Sequence, residues 1–460
     1  MENNKRFYVF DSQGNELLVT PQNIDLLKGG FDLGLEKLVT MVVSPEKITY
    51  ANHTEIMQKL EWLDYEPSSD KGHFRFYPKG ALIYNLLTEW CRSIASDCFN
   101  AFPVKTPFLY RLDNDAVKKQ IGIFADSVYF ASGKLSEKLV VRFNDDLGIF
   151  EIMKNSQITH KHLPLRTYEH TPSFRYNKSG NLSGIRRGRY FSFTDIHSFC
   201  KDQGQGLEEY QEIHRKLIKI AKEVDIKTTS HFKVTEKYYS AFKDTIKSLI
   251  SPQEGILIEI NPSQRQYWAM KHIMCTEHPQ KLFHVQLDFE NSKRFKIFYK
   301  DQDDNEKNCV IIHTSLGSIE KWMIIILEDA LKKEIPILPL WISPIQVRII
   351  PVSEEKHLNF CLEIAEKLKK QKIRVDIDDR KESLGKRIRY SEREWVPYVI
   401  VCGDKELGSS CFPIRVRGEE QKEMSLYVLA ELIKEKTKGM PFRSSQGLLL
   451  SKKPVFRGRD

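Results

Sequence analysis

Four arginines lie close together in residues 173–200, which read SFRYNKSGNLSGIRRGRYFSFTDIHSFC. The arginines are Arg175, Arg186, Arg187 and Arg189, and the stretch also contains Asp195 and His197. Guanidinium groups at this spacing repel one another unless an anion lies among them, and their planar forks bind phosphate oxygens in pairs. The stretch therefore predicts either a solvated charged face or a phosphate-binding floor, for a nucleotide or a nucleic-acid backbone.

The residues NKSGNLSG (177–184) are typical of a hairpin loop because Gly, Asn and Ser dominate tight turns. A hairpin here would bring Arg175 opposite Arg187 or its neighbours on the returning strand. Alternate residues of a strand point to one face. The predicted face of the returning strand consists of Arg187, Arg189, Phe191, Phe193, Asp195 and His197.

Strands outnumber helices in the sequence from residue 103 to about residue 300. The clearest is FHVQLDFE (283–290), in which apolar and polar residues alternate strictly. PVKTPFLY (103–110) also reads as a strand, and residues 206–224 have the spacing of an amphipathic helix. This pattern predicts an α+β domain built on an antiparallel sheet.

Prolines cluster at residues 332–344 and mark a predicted boundary. Beyond it strands and helices alternate, which predicts a small α/β domain around a mixed sheet. The predicted organisation is a lead-in region at 1–50, a main domain at 51–338 and a second domain at 339–460.

Composition limits the function classes. Lys and Arg number 71 against 62 Asp and Glu, a formal net charge of +9, which permits a polyanionic partner without requiring one. The 8 cysteines form no CxxC pair, so neither a zinc ribbon nor a disulfide framework is indicated. With no signal peptide and no apolar run of about 20 residues, a soluble cytoplasmic protein is expected.

Residues 168–200 resemble motif 2 of class II aminoacyl-tRNA synthetases, in particular of archaeal-type threonyl-tRNA synthetases. PVKTP (103–107) is similar to motif 1, whose Pro107 lies at the dimer interface in that family, and VIIHTSLGSIEKW (310–322) is similar to motif 3. The region that follows the proline cluster resembles the anticodon-binding domain. The resemblance implies a class II antiparallel sheet flanked by helices, a C-terminal anticodon-binding domain, ATP with Mg²⁺, tRNA as a partner and a homodimer.

The resemblance also implies roles for individual residues. Arg175 would hold the α-phosphate of ATP and of the aminoacyl-adenylate, and Arg187 and Arg189 would reach toward the phosphates. Gln286 and Asp288 would hold the amino group and backbone of the amino acid.

Two positions depart from the family pattern at the ATP site. Asn177 stands where the family has a glutamate that contacts the ATP amino group. Lys321 stands where it has an arginine that stacks on adenine, and lysine keeps the charge but not the planar fork. Arg175, Arg189 and Lys321 are the residues expected to act in catalysis.

A metal site is a further implication of the resemblance. The family selects threonine with a zinc ion held by one cysteine and two histidines, and this ion rejects valine because valine lacks the hydroxyl group. His197 and His313 match the histidines, whereas Asp146 stands at the cysteine position. Aspartate ligates zinc through oxygen at about 2.0–2.2 Å, so the prediction is either an Asp/His/His zinc site or a pocket without metal.

The C-terminal region matches the family at two positions that read anticodon bases, Glu406 and Arg415. Lys386, Arg387 and Arg389 lie on a predicted helix and would hold the RNA backbone. The alternative for these three charges is a solvated helix face.

Three functions follow from these observations. The first is ligation of threonine to tRNA(Thr) through threonyl-adenylate, and the intact Arg175, Arg189 and Gln286 favour it. The second is a catalytically degenerate paralogue that binds tRNA or a synthetase or editing partner, and the third is a ligase for another amino acid. The family's N-terminal editing domain is expected to be absent, so a separate trans-editing protein would clear mischarged tRNA.

Overall fold

The structure is a computed structural model that describes residues 5–44, 53–124, 127–133, 138–250, 255–262 and 267–456. Its contacts divide the chain into two compact units. The sheet unit comprises residues 1–50, 91–182 and 188–321, and the C-terminal unit comprises residues 51–90, 183–187 and 322–460. The domain boundaries expected from the sequence stay predictions.

The described strands, β1 to β22 in chain order, are Arg6–Phe10, Glu16–Val19, Leu63–Tyr65, Phe74–Phe76, Phe102–Pro103, Leu109–Arg111, Phe130–Ser132, Lys138–Val141, Leu165–Phe174, Tyr190–Cys200, Thr228–Thr235, Ile256–Asn261, Trp268–Thr276, Lys281–Asp288, Phe298–Lys300, Glu306–Asn308, Val310–Ser318, Val347–Pro351, Val375–Ile377, Tyr398–Cys402, Cys411–Val416 and Lys422–Ser425. The described α-helices, α1 to α12, are Leu33–Val43, His53–Lys59, Pro78–Ser93, Asp115–Phe124, Asp146–Lys154, Gln203–Glu223, Glu236–Ser248, Asn291–Phe295, Ile319–Leu331, Glu354–Lys370, Leu384–Arg393 and Leu426–Lys436.

The sheet unit is built on a ten-stranded sheet in the order β2-β1-β12-β11-β13-β14-β17-β10-β9-β5. Neighbouring strands are antiparallel except for the parallel pairs β11–β12 and β5–β9. Helix α1 packs on one face through Leu35 and Leu38, against Leu257 and Ile273. Helices α6 and α7 cover the other face, and the buried stripe of α6 confirms the amphipathic helix predicted there. The fold class expected for this region is confirmed.

Strand β14 confirms the strand predicted at 283–290, and its polar residues are largely buried as well. The polar side chains of β14 face a site within the protein instead of solvent. For this reason the strand alternates apolar and polar residues although little of its surface is exposed. The continuous strand predicted at 103–110 is wrong, because β5 ends at Pro103 and β6 begins at Leu109. Between them, the backbone N–H of Thr106 donates to the Glu169 carboxylate at 2.8 Å instead of to a neighbouring strand.

Strands β9 and β10 form the predicted antiparallel hairpin, in which Tyr190 pairs with Phe174. The Arg175 N–H donates to the carbonyl of Arg189 at 2.8 Å, so Arg189 is the residue that lies opposite Arg175. The prediction that Arg187 belongs to the returning strand is wrong. Arg187 precedes β10 and exchanges backbone hydrogen bonds with Ser183 in a local turn, because two glycines interrupt the strand-like sequence there.

The C-terminal unit contains a five-stranded sheet in the order β19-β18-β20-β21-β22. The pairs β18–β19 and β18–β20 are parallel and the others antiparallel, which confirms the predicted mixed sheet. Helices α10 and α12 bury their apolar sides in the core of this sheet, while α11 packs against β18. No helix in the described ranges is long and apolar enough to cross a membrane.

Candidate functional site

A cluster of one carboxylate and two imidazoles lies on the face of the large sheet that α1 also covers. Strands β10 and β17 pair His197 directly with His313, and the two ring centroids are 4.8 Å apart. Helix α5 begins at Asp146, whose Oδ1 is 3.1 Å from His197 Nε2 and 3.4 Å from His313 Nδ1. All three side chains are buried, and their candidate ligand atoms lie within 4.8 Å of one another. The structure thus brings together the three residues that the sequence suggested as metal ligands.

The second carboxylate oxygen of Asp146 is held by two neutral amides. Asn144 Nδ2 donates to Asp146 Oδ2 at 2.9 Å, and Gln120 Nε2 donates to the same oxygen at 3.1 Å. Burial opposes ionisation of Asp146, but the hydrogen bonds to His197 and His313 outweigh burial and lower its pKa. Asp146 is therefore a carboxylate with one oxygen fixed and the other turned toward the imidazoles.

Asp288 and Gln286, the predicted substrate-binding residues, lie beside His313 on β14. Asp288 Oδ2 is 2.9 Å from His313 Nε2, while its Oδ1 accepts the backbone N–H groups of Glu290 and Asn291 at 2.7 and 3.0 Å. The Asp288 carboxylate is thus committed to orienting His313. Gln286 pairs across the strands with His313 and is 5% exposed, so its amide faces the cluster.

The cluster contains more negative than positive charge. Burial raises the pKa of Asp145 to about 6, and burial together with the nearby Asp145 charge raises the pKa of Asp195 well above its usual range. Burial would lower the pKa of His313, but hydrogen bonds to Asp146 and Asp288 outweigh it and raise that pKa to about 10. Three buried carboxyl groups and the half-buried Asp195 around two imidazoles form a site that a cation would stabilise.

Unpartnered polar atoms are consistent with this charge imbalance. Among the described residues, His197 Nδ1 and Asp145 Oδ2 have no hydrogen-bond partner, and the two atoms are 3.8 Å apart. The sequence reasoning missed Asp145, although it directly precedes Asp146. It also missed Tyr267, whose ring lies 5.3 Å from that of His313 and whose hydroxyl is hydrogen-bonded to Gln286. No spacing in the sequence connects Tyr267 with this site.

The arginines of the hairpin separate into two groups. Arg175 Nε donates to the carbonyl of Phe143 at 3.0 Å, its guanidinium lies 5.1 Å from the Phe191 ring centroid, and it feels the charges of Asp195 and Asp146. Arg189 is buried, donates to the carbonyl of Asn177 at 2.9 Å and stacks on Tyr176 at 4.1 Å. Arg175 therefore borders the cluster, whereas Arg189 fixes the hairpin loop.

Arg186 and Arg187 do not share a surface with Arg175, as a phosphate-binding floor would require, and Asn177, expected at the ATP amino group, is engaged within the hairpin. Arg187 is exposed in the loop, and Arg186 donates to Glu328 at 2.5 Å within the C-terminal unit. Asn177 Nδ2 donates to the carbonyl of Gly188 at 2.7 Å and so closes the hairpin. The reason is that the turn-rich sequence forms a local loop before the strand begins.

Two further lysines accompany Lys321, which the sequence identified: Lys271 on β13 and Lys281 on β14 were not found from the sequence. Burial lowers the pKa of Lys321 to about 8, with further contributions from the charges of Lys281 and Arg175. Burial and the charges of Lys281 and Lys233 lower the pKa of Lys271 to about 7. The charges of Lys281 and Arg175 thus oppose ionisation of both Lys271 and Lys321, a pattern that is typical of anion sites. These four residues are distributed over more than 140 positions of the sequence, which concealed the group.

The C-terminal unit carries the predicted anticodon residues. Arg415 pairs with Val399 across β20 and β21, is exposed and lines a cavity of about 910 Å³ that also includes Ile388 and Arg417. Glu406 Oε2 accepts the backbone N–H of Gly403 at 2.9 Å. Both side chains thus occupy defined positions on this unit.

The three basic residues on α11 are not equivalent. Lys386 and Arg389 are exposed, and Lys386 donates to Glu382 at 2.8 Å. Arg387 is 4% exposed and donates to the carbonyl of Asp378 at 2.9 Å. Arg387 therefore anchors the helix, whereas the other two remain available to a ligand in solution.

Two family models match the chain. The model described as "tRNA synthetase class II core domain (G, H, P, S and T)" matches residues 129–330, and the one described as "Anticodon binding domain" matches residues 346–436. The threonine–tRNA ligase of Methanococcus aeolicus is 35% identical over 485 residues, covering 98% of this chain and 75% of that protein. The threonine–tRNA ligase of Pyrococcus horikoshii is 37% identical over 464 residues, covering 96% of this chain and 74% of that protein.

Solved structures show the same fold at lower identity. A crystal structure described as the RNA binding domain of threonyl-tRNA synthetase from Cryptosporidium parvum matches with a TM-score of 0.74 and 22% identity, covering 86% of this chain and all of that one. A prolyl-tRNA synthetase from the same organism matches with a TM-score of 0.66 and 17% identity, covering 85% of this chain and 79% of that one.

Proposed function

The chain belongs to the threonine–tRNA ligase family, and from that premise we propose that it charges tRNA(Thr) with threonine. In the first step a carboxylate oxygen of threonine attacks the α-phosphorus of ATP, and pyrophosphate leaves. In the second step a terminal ribose hydroxyl of tRNA attacks the carbonyl carbon of the adenylate, and AMP leaves. The relatives favour this first reading of the sequence over the degenerate paralogue and the ligase with another substrate.

One observation carries the proposal: a buried Asp/His/His cluster and a group of mutually repelling cations share one face of the sheet. Arg175 is part of both, because it feels the charges of Asp195 and Asp146 and also depresses the ionisation of Lys321. An amino acid at the cluster and a polyphosphate at the cations would therefore meet beside Arg175. Its guanidinium then stabilises the charge that grows on the α-phosphate during attack.

The cation group supplies the part of the site that binds the leaving group. Lys321 lacks the planar fork of an arginine, but Lys281 and the partly ionised Lys271, whose pKa is about 7, add positive charge near it. We infer that the three lysines together hold the β- and γ-phosphates of ATP with Mg²⁺. Positioning and electrostatics are sufficient for this reaction because a carboxylate and ATP are both already reactive.

Zinc is part of the proposal. Asp146, His197 and His313 would hold the ion through one oxygen and two nitrogens, a ligand set that zinc accepts, and the excess of buried carboxylates fits an added divalent charge. When bound, zinc would act as a Lewis acid toward the amino and hydroxyl groups of threonine. Asp288 orients His313 through its Nε2 contact, as outer ligand-sphere carboxylates do in metal sites. Gln286 and Tyr267 lie where a substrate amino group would need acceptors.

The proposed tRNA contact lies on the C-terminal unit. Arg415 at the mouth of its 910 Å³ cavity offers a planar donor fork beside the apolar Val399 and Ile388, which suits a splayed base. Arg415→Ala should raise KM for tRNA at least tenfold and leave ATP–pyrophosphate exchange unchanged. Arg389→Ala should have a smaller effect that fades at higher salt, because a backbone contact is screened.

A homodimer is also proposed. Phe102, Phe108, Leu109 and Phe130 are 46–63% exposed on the sheet unit near Pro107, and exposed aromatic side chains in such number are typical of an interface. Light scattering after gel filtration should give twice the chain mass, and Phe102→Asp should shift it toward the monomer. A monomeric wild type at micromolar concentration would overturn this part. The trans-editing partner and the cytoplasmic location stay predictions.

ATP–pyrophosphate exchange tests the catalytic proposal. Threonine should support exchange, valine should not, and Arg175→Ala should lower kcat/KM by at least 100-fold, which equals about 2.7 kcal/mol. Lys161→Ala, the substitution of an exposed cation on the same unit that has no part in this proposal, serves as the matched control. Exchange with another amino acid but not threonine would support the altered-ligase reading. No exchange with any amino acid, alongside intact tRNA binding, would refute catalysis.

A further inference from the structure

A second cavity lies on the opposite face of the large sheet from His197 and His313. Its volume is about 490 Å³, and it is bounded by α6, β11 and the end of α7. Its apolar walls include Ile218, Ile226 and Ile256. Since alternate residues of β11 and β12 face opposite sides, this cavity is separated from the proposed active site by the sheet itself. Its volume falls in the range of small-molecule sites, roughly 300–1,000 Å³.

The floor of the cavity is a chain of hydrogen bonds that ends at Ser230. Ser230 Oγ is 3.0 Å from His272 Nε2, and His272 Nδ1 is 3.1 Å from His214 Nδ1. His214 is also hydrogen-bonded to the backbone of Leu249. This contact favours a protonated ring nitrogen, so the ring N–H of His214 donates to the carbonyl oxygen of Leu249. Burial lowers the pKa of His214 to about 4 and that of His272 well below its usual range, so both rings are neutral at pH 7.

Neutral imidazoles fix the direction of every bond in the chain, because each ring has one donor and one acceptor nitrogen. His214 donates to Leu249, so its Nδ1 accepts the proton of His272 Nδ1. His272 Nε2 is then an acceptor and takes the hydroxyl proton of Ser230. The remaining lone pairs of Ser230 Oγ are thus left as acceptors on a residue that lines the cavity.

The mouth of the cavity has the opposite character. Arg215, Lys222 and Lys227 line it and are exposed, against the single carboxylate of Asp225. Lys227 also forms an ion pair with Asp32, so the positive charge at the mouth of the cavity comes mainly from Arg215 and Lys222. The cavity therefore combines a hydrogen-bond acceptor at the floor, apolar walls and a positive rim.

From this combination we propose that the cavity binds a small organic anion with an apolar body and an N–H or O–H donor at the end away from its charge. The donor reaches Ser230, the body lies against the isoleucines, and the charge remains near Arg215 and Lys222. The site is independent of the proposed aminoacylation function, since none of its residues belongs to the cluster or the cation group.

The dye 6-anilinonaphthalene-2-sulfonate has these three features, with its N–H and its sulfonate at opposite ends of the ring system, and it fluoresces when it enters an apolar site, so it serves as the probe. One saturable site per chain is expected in the 460-residue protein. Lys222→Glu should weaken binding about three- to tenfold at low salt, an effect reduced by added salt. Lys219→Glu is the matched control, because Lys219 is exposed on the same helix and lies outside the cavity; it should change affinity less than twofold.

A second variant tests the floor. Ser230→Ala removes the acceptor and should weaken the dye about fivefold, the equivalent of one ordinary hydrogen bond, with folding checked by its melting curve. Saturating ATP and threonine should not displace the dye. The proposal is overturned by the absence of a saturable site, by equal effects of Lys222→Glu and Lys219→Glu, or by displacement with ATP.

Discussion

Replacement of Asp146 by asparagine tests the proposed metal site. The change keeps the shape of the side chain and removes its charge. Asp146 Oδ1 is 3.1 and 3.4 Å from the two imidazoles, and Oδ2 accepts two amide N–H groups. The NH₂ group of the introduced asparagine must therefore face either the imidazole nitrogens of His197 and His313 or the amide N–H groups of Asn144 and Gln120. Both orientations lose hydrogen bonds, which costs roughly 1–3 kcal/mol of stability.

The effect on zinc should be larger than the effect on folding. Loss of a residue that only orients a ligand lowers metal affinity by about 10- to 100-fold, and Asp146 is proposed to be a ligand itself. We therefore expect Asp146→Asn to weaken zinc at least 100-fold, about 2.7 kcal/mol. Asp288→Asn, which removes the carboxylate that orients His313, should fall within the 10- to 100-fold range.

The assay is a zinc titration of chelator-stripped protein against a chromophoric competitor, with metal content checked by mass spectrometry. Wild type should take up one zinc ion per chain. Glu151→Gln is the matched control, because Glu151 lies on the same helix and its side chain is 39% exposed; its affinity should stay within twofold of wild type. Stripped wild type that takes up no zinc, or Asp146→Asn that binds as tightly as wild type, would refute the reasoning.

Three further predictions concern packing, pH and the ligand type. Gly148→Ala should lower Tm and destabilise the protein by about 1–3 kcal/mol, because the added Cβ would lie 2.3 Å from the side chain of Thr106. Gly122→Ala is the control: Gly122 has open space around it, so this change should not destabilise the protein. KM for ATP should rise at least fourfold between pH 6.5 and 8.5, because Lys321, with a pKa of about 8, loses most of its charge over that interval and Lys271, with a pKa of about 7, also loses its charge. Lys321→Arg should reduce this rise, and an unchanged profile in that variant would exclude Lys321 from ATP binding. Asp146→Cys should retain zinc and lower Tm, and loss of zinc would show that oxygen is required.

The sequence predicts the helix at 206–224, observed at Gln203–Glu223, the hairpin around residues 177–184 and the alternating strands and helices beyond the proline cluster at 332–344, because these rest on local patterns. It fails at 103–110, where a tertiary contact with Glu169 replaces the strand. It also fails at Arg187, because strand propensity alone does not reveal where a loop ends. Local pattern therefore gives the elements but not their ends.

The residues of the candidate site are likewise predicted only in part from the sequence. The sequence points to the three cluster residues because His197 and His313 lie in recognisable motifs, while their role as metal ligands stays a prediction. The sequence does not reveal Lys271, Lys281 and Tyr267, since only the pairing of β13 with β14, and of β14 with β17, brings these strands together. Charge repulsion among groups distant in sequence becomes visible only once the sheet register is known.

The local environment of Asp146 explains why an aspartate suits this position. A thiolate and a carboxylate carry the same charge, so the exchange alters the hardness of the ligand but not the charge balance with His197 and His313. A carboxylate has a second oxygen, and Asn144 and Gln120 both donate to it. A cysteine has no counterpart to that oxygen, so it would leave the side-chain amides of Asn144 and Gln120 without their acceptor. The loss of stability should therefore be larger than that caused by removing a single hydrogen bond. The two amides therefore favour a carboxylate at this position, with one oxygen held by the protein and the other turned toward the imidazoles.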